Sequence, residues 1–449
     1  MITAKKIIEK IGVSRAIRWT LLTQGIRLLT GPITMLLMVR YLSADCQGYA
    51  YTFGSVLAIS IFLEMGFSQN ILQFASHEFA FLEFKENGAL TGEPNAYSRF
   101  VSLGRLSIKY YGVAAFLFFF ALLIGGNWFF STSHNVGVSW QGPWLLVSIT
   151  SSLGLLLNPC WSLLEGCNRV SEVEKFRFFS SVIGFVCLAI GLVARFELYA
   201  VCMNSLVTTV LSLIFLASRW RHFVAMFFSV PKGPVISWRQ EIWPFQWRIA
   251  ISWMCGYFIF SIITPTVFRL SSPKAAGQVG FTLQITRLVG AVASSWSTTR
   301  LPEFGMLVAK RDWSKLMMVW KRATTMNLIV TTAGCVVVVV GMEFAVRIIP
   351  GLAERYGGWQ IAVYFSISMI GQAFITSLAF YLRAFKKEPF MGLSIYNAVL
   401  SFVLISGLTW KFQIHGAALG YMLSIVLSAP IAWNIYKVKG CAFREVPSS

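Results

Sequence analysis

The sequence predicts an all-α membrane protein of twelve transmembrane helices in two pseudo-symmetric six-helix lobes. Three observations support this prediction. The 449 residues are 56% hydrophobic and only 12% charged, with a mean hydropathy of +0.66, a composition that soluble globular chains do not have. Apolar stretches long enough to cross the hydrocarbon recur along the whole chain. A short internal repeat relates the two halves.

The predicted spans follow one another with short connections. Each is about 20 residues long, the length that a helix needs to cross a bilayer. They lie at 18–40, 49–68, 107–125, 143–164, 177–195, 198–217, 242–268, 278–300, 325–347, 360–382, 391–409 and 416–436. The longest connection, 69–106, is predicted to begin as an amphipathic helix and to turn at 88–95.

The basic residues predict the orientation of these spans. If the N-terminus is cytoplasmic, the inner segments hold 28 of the 38 Lys and Arg residues and the outer loops hold seven. This bias in short loops is the positive-inside pattern, so both termini are expected to be cytoplasmic. The same distribution accounts for the net charge of +20, and nucleic acid is not expected as a partner. The first apolar run is too long for a signal peptide and is expected to be retained.

The internal repeat places the lobe boundary. A shift of 229 residues aligns segment 40–48 with segment 269–277, with arginine, serine and glycine in the same places. Each segment follows the first predicted span of its half, so the repeats are parallel. The segment 218–241 between the sixth and seventh spans contains two prolines and a glycine. We therefore predict an N-terminal lobe at 1–230 and a C-terminal lobe at 231–449.

The first span carries an arginine near its middle. Thr20, Gln24, Arg27, Gly31 and Thr34 are spaced by three or four residues, so they form one stripe of a helix. An arginine at this depth costs on the order of 2.5–3.5 kcal/mol on insertion scales. Such a residue faces a protein interior or a water-filled cavity, usually to meet an anion. The alternative is that the side chain snorkels to the headgroups, which suits Arg18 better than Arg27.

Spans seven and eight carry arginines at related positions. Gln284, Arg287, Ala291 and Ser294 form a second polar stripe, and Arg248 lies near the start of span seven. Arginine suits phosphate because its planar fork bonds two oxygens and it stays protonated. The sequence thus predicts an anion-binding cavity. Its candidate substrate-binding residues are Arg27, Arg287, Arg248, Gln24, Gln284 and Arg18.

The sequence offers one candidate for ion coupling and no pattern typical of metal binding or catalysis. Glu64, near the inner end of span two, is the candidate for binding a coupling ion, and a structural ion pair with Arg18 is the alternative that we favour. The eight cysteines are scattered without metal spacing. The four histidines lie in separate loops, and no Walker loop or HExxH motif occurs. We therefore expect no metal, cofactor or catalytic residue, and no enzymatic activity.

Several of these features together resemble a known family. They are the two six-span lobes, the arginine-bearing first span, the stretch RYLSADCQGYAYTFGSVLAISIFLEMGFSQ at 40–69 and the small-residue final span HGAALGYMLSIVLS at 415–428. In these respects the chain resembles the oligosaccharide flippases of the MATE-like (MOP) superfamily. The most similar group is the polysaccharide-biosynthesis, O-antigen exporter (Wzx-like) type. The resemblance covers nearly the whole chain but rests on pattern, since the family has no invariant motif.

The resemblance implies a V-shaped bundle and a transport function. Such a flippase moves an undecaprenyl-pyrophosphate-linked oligosaccharide, an O-antigen (lipopolysaccharide) or exopolysaccharide repeat unit, from the inner to the outer leaflet. It works by alternating access, with H⁺ or Na⁺ as coupling ion, in the bacterial cytoplasmic membrane, and glycan polymerase or other assembly enzymes are candidate partners. Lumen arginines hold the anionic substrate, which fits Arg27 and Arg287 best and Arg248 next.

Two other functions are kept as alternatives. A MATE-type multidrug or metabolite antiporter shares the fold and would depend on a lumen carboxylate such as Glu64. A polytopic glycan polymerase or ligase would act on the same lipid carrier. Such enzymes usually need a large outer loop with catalytic charged residues, whereas the predicted outer loop 126–142 contains no Lys, Arg, Asp or Glu.

Overall fold

The protein is helical over nearly all of its described length. The computed structural model describes residues 15–85, 88–132, 137–298, 300–309, 311–349, 351–385 and 389–445. The helices of the first half are α1 (Arg15–Tyr41), α2 (Ala44–Leu57), α3 (Ile61–Glu64), α4 (Phe67–Phe79), α5 (Pro94–Ala121), α6 (Asn127–Ser131), α7 (Gln141–Gly166), α8 (Val170–Val193), α9 (Leu198–Arg219) and α10 (Arg221–Ala225). Those of the second half are α11 (Trp243–Phe260), α12 (Ile263–Leu270), α13 (Pro273–Thr298), α14 (Leu301–Ala309), α15 (Trp313–Ile348), α16 (Trp359–Arg383) and α17 (Met391–Glu445). Two short π-turns, Leu122–Gly126 and Trp238–Ile242, precede α6 and α11.

The membrane-spanning character of the fold is clear from these helices. Among the described residues, nine helices are long and apolar enough to cross a membrane, or ten with the bent pair 253–260 and 263–270 taken as one span. Helix α13 is not among them, because Gln, Thr, Ser and Gly lower its hydropathy. Helix α17 is interrupted at Gln413, whose φ is 50°, between predicted spans eleven and twelve. The all-α membrane fold is thus confirmed, and the count of twelve spans stays a prediction.

One predicted span is broken. Helices α11 and α12 meet at an angle of 45°, and the amides of Ser261 and Ile262 both donate to the carbonyl of Tyr257, at 2.7 and 3.2 Å. Pro265 follows in the first turn of α12, where it cannot donate to the carbonyl of Ser261. A proline of this kind is a usual cause of a sharp kink.

The chain forms two compact units. The first contains the described residues of Met1–Leu42, Ile59–Thr132 and Gly137–Trp253. Within it α1 packs on α8, where the Trp19 ring lies 5.7 and 5.9 Å from the rings of Phe178 and Phe179. The Thr23 hydroxyl joins the same two helices, 2.9 Å from the carbonyl of Trp19 and 3.2 Å from that of Glu174.

The connection 69–106 in the first unit differs in part from its predicted form. A helix is present at Phe67–Phe79, but strands β1 (Leu82–Phe84) and β2 (Leu90–Gly92) then form an antiparallel hairpin. The predicted turn at 88–95 was wrong, because β2 pairs with β1 and Pro94 already occupies the first turn of α5. The buried Leu82 and Leu90 anchor the hairpin.

The second unit contains the described residues of Ser43–Ala58 and Met254–Ser449. In it α2 packs closely on α13, and the backbones approach most nearly at two glycines. A Cβ atom added to Gly48 would lie 1.8 Å from the carbonyl oxygen of Pro273, and one added to Gly277 would lie 3.1 Å from that of Ala44. The predicted division into lobes at residue 230 stays a prediction.

These two contacts involve the residues of the internal repeat. Ser43 accepts a hydrogen bond from the amide of Cys46 at 3.1 Å, and Ser272 accepts one from Ala275 at 3.1 Å. Each serine thus caps the start of its helix in the same way. The aligned segments 40–48 and 269–277 therefore have the same local structure.

Candidate functional site

The first candidate pocket surrounds Arg27 in the first unit. It has a volume of about 390 Å³ and is walled by α1, α7, α8 and α9. Most of its side chains are polar or aromatic: Arg27, Thr30, Thr34, Trp161, Phe176, Arg177, Ser180, Ser181, Phe185, Asn204, Thr208 and Ser212. The polar stripe predicted on α1 therefore contributes two residues, Arg27 and Thr34. Thr30 of the same helix and serines and threonines of α8 and α9 complete the wall.

The two arginines of this pocket differ in charge compensation. Arg177 Nη1 lies 2.6 Å from Glu165 Oε1 and 2.8 Å from Glu174 Oε1. Arg27 is exposed, and within the described part of the chain its guanidinium forms no hydrogen bond or ion pair. Its backbone carbonyl accepts a hydrogen bond from the hydroxyl of Thr30. The positive charge of Arg27 is thus the one that an anionic ligand in this pocket would meet.

The second candidate pocket surrounds Arg287 in the second unit. Its volume is about 430 Å³, and its walls come from α11, α13, α15, α16 and α17. The lining consists of Phe260, Arg287, Gly290, Ala291, Ser294, Asn327, Met369, Gln372, Ala373, Thr376 and Tyr421. The stripe predicted on α13 therefore lines a pocket through Arg287, Ala291 and Ser294.

Arg287 also has a partner within the protein. Its Nη2 donates to the carbonyl oxygen of Phe260, the last residue of α11 before the kink. A guanidinium has five N–H donors, so this bond leaves others for a ligand. Arg287 therefore combines a structural contact at the broken span with a charge that lines a pocket.

Three other predicted substrate-binding residues, Gln24, Gln284 and Arg18, are not among the described residues that line these two pockets. Gln24 and Gln284 are exposed on α1 and α13. The Nε atom of Arg18 is buried without a hydrogen-bond partner. The side chain of Arg248 lies outside the described ones, although its helix is described. Roles in substrate binding for these four residues stay predictions.

Glu64 lies in a cluster of hydroxyl groups in the first unit. Its carboxylate accepts a hydrogen bond from Ser68 and lies 3.5 Å from the hydroxyl of Tyr111. Tyr111 in turn lies 2.8 Å from Ser68 Oγ. The favoured ion pair with Arg18 was wrong, because hydroxyl groups of α4 and α5 satisfy the carboxylate instead. Glu64 lines neither pocket.

Several pocket residues were missed at the level of sequence. Asn327 and Gln372 lie in strongly apolar spans and carry no charge, so nothing in their spacing distinguishes them. Arg177 was placed at the edge of a span and counted with the inner loop charges. The run Arg177, Ser180, Ser181 and Gly184 on α8 was the available signal, since it places polar and small residues on neighbouring faces of one helix.

The comparisons with known proteins bear on the fold. No protein-family model and no curated protein sequence matches the chain. The solved structures that match include an inward-facing multidrug resistance MATE family transporter of the MOP superfamily, with TM-score 0.65, 12% identity and coverage of 97% of this chain and 100% of that one. Lipid II flippase MurJ in an inward closed conformation gives TM-score 0.68, 11% identity and coverage of 94% and 87%.

A third match comes from Pyrococcus furiosus. It is a MOP superfamily transporter described by the reverse polarity of its binding pocket, which suggests a different function. Its TM-score is 0.58 at 11% identity, with 96% of both chains covered. Identities this low show shared architecture and no more. The chain thus has the fold of the MOP superfamily transporters and of the lipid II flippase.

Proposed function

We propose that this protein is a flippase for a lipid-linked anionic oligosaccharide. It carries an undecaprenyl-pyrophosphate-linked repeat unit from the inner to the outer leaflet of the bacterial cytoplasmic membrane by alternating access. The observation behind the proposal is that each compact unit has a pocket lined by an arginine of a long helix, Arg27 of α1 or Arg287 of α13. No Asp or Glu is among the described residues that line either pocket.

The chemistry of the pockets favours an anion. Burying a cation without an opposite charge is costly, so a membrane protein keeps such a residue where a ligand or cavity compensates it. A pyrophosphate offers several oxygens to the guanidinium fork, and each such bond is charge-assisted. The serine, threonine and asparagine hydrogen-bonding groups around Arg27 suit the hydroxyl groups of an attached sugar.

The fold is compatible with this proposal, and proteins that share it transport different substrates. The similar structures include both a lipid II flippase and multidrug transporters. The pocket linings distinguish the two, because a cationic drug would meet uncompensated positive charge in either pocket. The Pyrococcus furiosus transporter is a precedent within this fold for a change of pocket polarity.

The main alternative is a MATE-type antiporter for drugs or metabolites. It would need a carboxylate at the binding site, and Glu64 lines neither pocket. Glu64 fits better as a site for the coupling ion, H⁺ or Na⁺, since its carboxylate is surrounded by hydroxyl groups that accept as well as donate. We include this role of Glu64 in the proposal.

Complementation of surface glycan tests the proposed function. A bacterial strain without its O-antigen flippase would express the wild type, Arg27→Ala, Arg287→Ala or Arg322→Ala. Arg322 is an exposed arginine that lines neither pocket, so its variant is the matched control. We expect the wild type and Arg322→Ala to restore the glycan, and the two pocket variants to restore at least about ten-fold less at equal membrane abundance.

Two outcomes of these experiments would contradict the proposed function. Full restoration of the surface glycan by both pocket variants would show that neither arginine is needed for transport. Efflux of a cationic dye that is lost in Glu64→Gln, with no restoration of glycan by the wild type, would establish the antiporter instead.

A further inference from the structure

Asn327 brings an unpaired hydrogen-bond acceptor to the Arg287 pocket. The residue is only 2% exposed and lines the pocket from α15. Its Nδ2 donates to Ser377 Oγ at 3.2 Å. The Ser377 hydroxyl already donates to the carbonyl of Ala373 at 2.8 Å, so it can only accept from Asn327. This fixes the orientation of the amide, and Oδ1 is left buried without a partner.

Gln372 brings a second acceptor from the neighbouring helix α16. Its Nε2 donates to Thr376 Oγ1 at 3.2 Å, and its Oε1 is buried without a hydrogen-bond partner. Gln372 and Thr376 both line the same pocket as Asn327. Two amide oxygens from adjacent helices are therefore unsatisfied in one cavity that also contains Arg287.

Buried polar atoms are nearly always hydrogen-bonded, and an exception calls for a ligand, an ion or a water molecule. A cation is disfavoured here, since the Arg287 guanidinium lines the same space. A hydrocarbon chain is disfavoured as well, because it cannot donate to the two oxygens. The remaining ligand class combines an anionic group with hydrogen-bond donors, and the pocket volume of about 430 Å³ lies within the range of about 300–1,000 Å³ for small-molecule sites.

We propose that Asn327 and Gln372 form a subsite for the sugar next to the pyrophosphate of the lipid-linked substrate. Their amide oxygens accept hydrogen bonds from hydroxyl or acetamido N–H groups of that sugar, while Arg287 binds the phosphate. This inference rests on the proposed function, and it assigns to the second unit the recognition of the first sugar. A site built to hydrogen-bond such groups rejects a ligand that lacks them, because its own oxygens then stay unpaired.

Binding of two lipids to the purified, nanodisc-embedded protein tests the subsite. The probes are undecaprenyl pyrophosphate and undecaprenyl pyrophosphate bearing one N-acetylhexosamine. The variants are Asn327→Leu and Gln372→Leu, which remove the acceptors at similar volume. The matched control is Thr331→Val, one turn along α15, whose buried hydroxyl bonds only the carbonyl of Asn327 and does not line the pocket.

We expect the wild type and Thr331→Val to bind the sugar-bearing lipid about ten-fold more tightly, which corresponds to about 1.4 kcal/mol. Asn327→Leu and Gln372→Leu should lose most of this preference and keep their affinity for undecaprenyl pyrophosphate. If Asn327→Leu fails to fold, Gln372→Leu provides the same test from the other helix.

Two results overturn the subsite. If both variants keep the preference for the sugar-bearing lipid, the amide oxygens bind only water. If both variants lose affinity equally for the two lipids, the amides have a structural role. If the wild type binds neither lipid, the proposed function is itself overturned and the subsite with it. A wild type that binds both lipids equally overturns the subsite alone.

Discussion

Arg27 and Arg287 differ in what they contact inside the protein. Arg287 donates to the carbonyl of Phe260 beside the kink in the broken span. Arg27 is exposed, and no hydrogen bond or ion pair of its guanidinium occurs among the described residues. We therefore expect removal of Arg287 to change both ligand binding and local structure, and removal of Arg27 to change ligand binding alone. Arg27 is therefore the cleaner probe of anion recognition.

Arg27→Ala should weaken binding of undecaprenyl pyrophosphate by about 10- to 100-fold, the range for hydrogen bonds to charged groups. Arg27→Lys should recover only part of this loss, because an ammonium group cannot bond two oxygens in the planar fork geometry. The thermal midpoint should be unchanged in both variants. Equilibrium binding and thermal unfolding in detergent measure the two quantities. Equal affinity of Arg27→Lys and wild type would show that only charge matters at this position.

Glu64 is the residue on which ion coupling is expected to depend. Glu64→Gln keeps the side-chain volume and an acceptor for Ser68 and Tyr111 but removes the carboxylate that would bind the coupling ion. We expect transport in Glu64→Gln to lose its dependence on a pH or sodium gradient while the variant stays folded. Transport rates with and without each gradient measure this. A gradient dependence equal to that of the wild type would exclude Glu64 as the coupling site.

At the scale of elements, the contact between α2 and α13 depends on glycine. A side chain at Gly48 would overlap the backbone of Pro273, which cannot rotate away as a side chain can. The related approach of Gly277 to Ala44 repeats this geometry on the other helix. If the helices separate during transport, this glycine contact is one that must open and close again.

Gly48→Ala should therefore destabilise the second unit, by about 1–3 kcal/mol for an overpacked contact. Gly54→Ala on the same helix is the matched control, because a Cβ at Gly54 has no atom within 4 Å. We expect this control to be neutral or slightly stabilising, since alanine favours a helix more than glycine does. Thermal unfolding in detergent compares the two. Equal midpoints for both variants would show that α2 and α13 tolerate a wider spacing.

The segment before α11 is attached to α5 in the first unit by a small ionic network. Arg99 lies 2.8 Å from both Glu78 and Glu241, and Glu241 also accepts from the amide of Ser237 at 2.9 Å. The Ser237 amide, followed by Arg99, lowers the pKa of Glu241 from its ordinary value of 4.5. The sequence places the lobe boundary in segment 218–241, and in the structure Glu241 at the end of that segment is bound to Arg99 of α5.

This network predicts a pH dependence. Because the folded-state pKa of Glu241 is lowered, its stabilising contribution is complete above the ordinary value of 4.5 and is lost as the pH falls through the lower folded value. Glu241→Gln should lose on the order of 1 kcal/mol at neutral pH, as expected for a partly exposed pair. The difference from wild type should disappear in strongly acidic buffer. Midpoints measured across pH test this, and a difference that persists in acid would assign the effect to packing.

Much of the fold and some of the candidate site could be predicted from the sequence, for physical reasons. Span positions follow from hydropathy, and an arginine within a span stands out because it is costly there. The compensation of Arg177 could be predicted only in part, because Glu174 lies three residues away on the same helix whereas Glu165 lies on another helix, α7. Neither could the role of Asn327, since a neutral amide shows its unpaired oxygen only when its neighbours are known.

At the scale of the whole molecule, we expect both units to take part in transport. Each has a pocket of similar volume, about 390 and about 430 Å³, with an arginine from a long helix, α1 or α13. The repeated segments 40–48 and 269–277 share local structure, and their capped helices α2 and α13 both belong to the second unit. We expect each pocket to be needed in the transport cycle. Loss of either arginine alone should then be sufficient to stop transport.

Translocation by the purified protein in liposomes tests this most directly. A fluorescent undecaprenyl-pyrophosphate-linked oligosaccharide would be followed by its accessibility to a membrane-impermeant quencher, with a pH or sodium gradient imposed. We expect the wild type and Arg322→Ala to exceed protein-free liposomes at least about ten-fold, and Arg27→Ala and Arg287→Ala each to fall to the background rate. Translocation at the wild-type rate by both single variants would contradict the account.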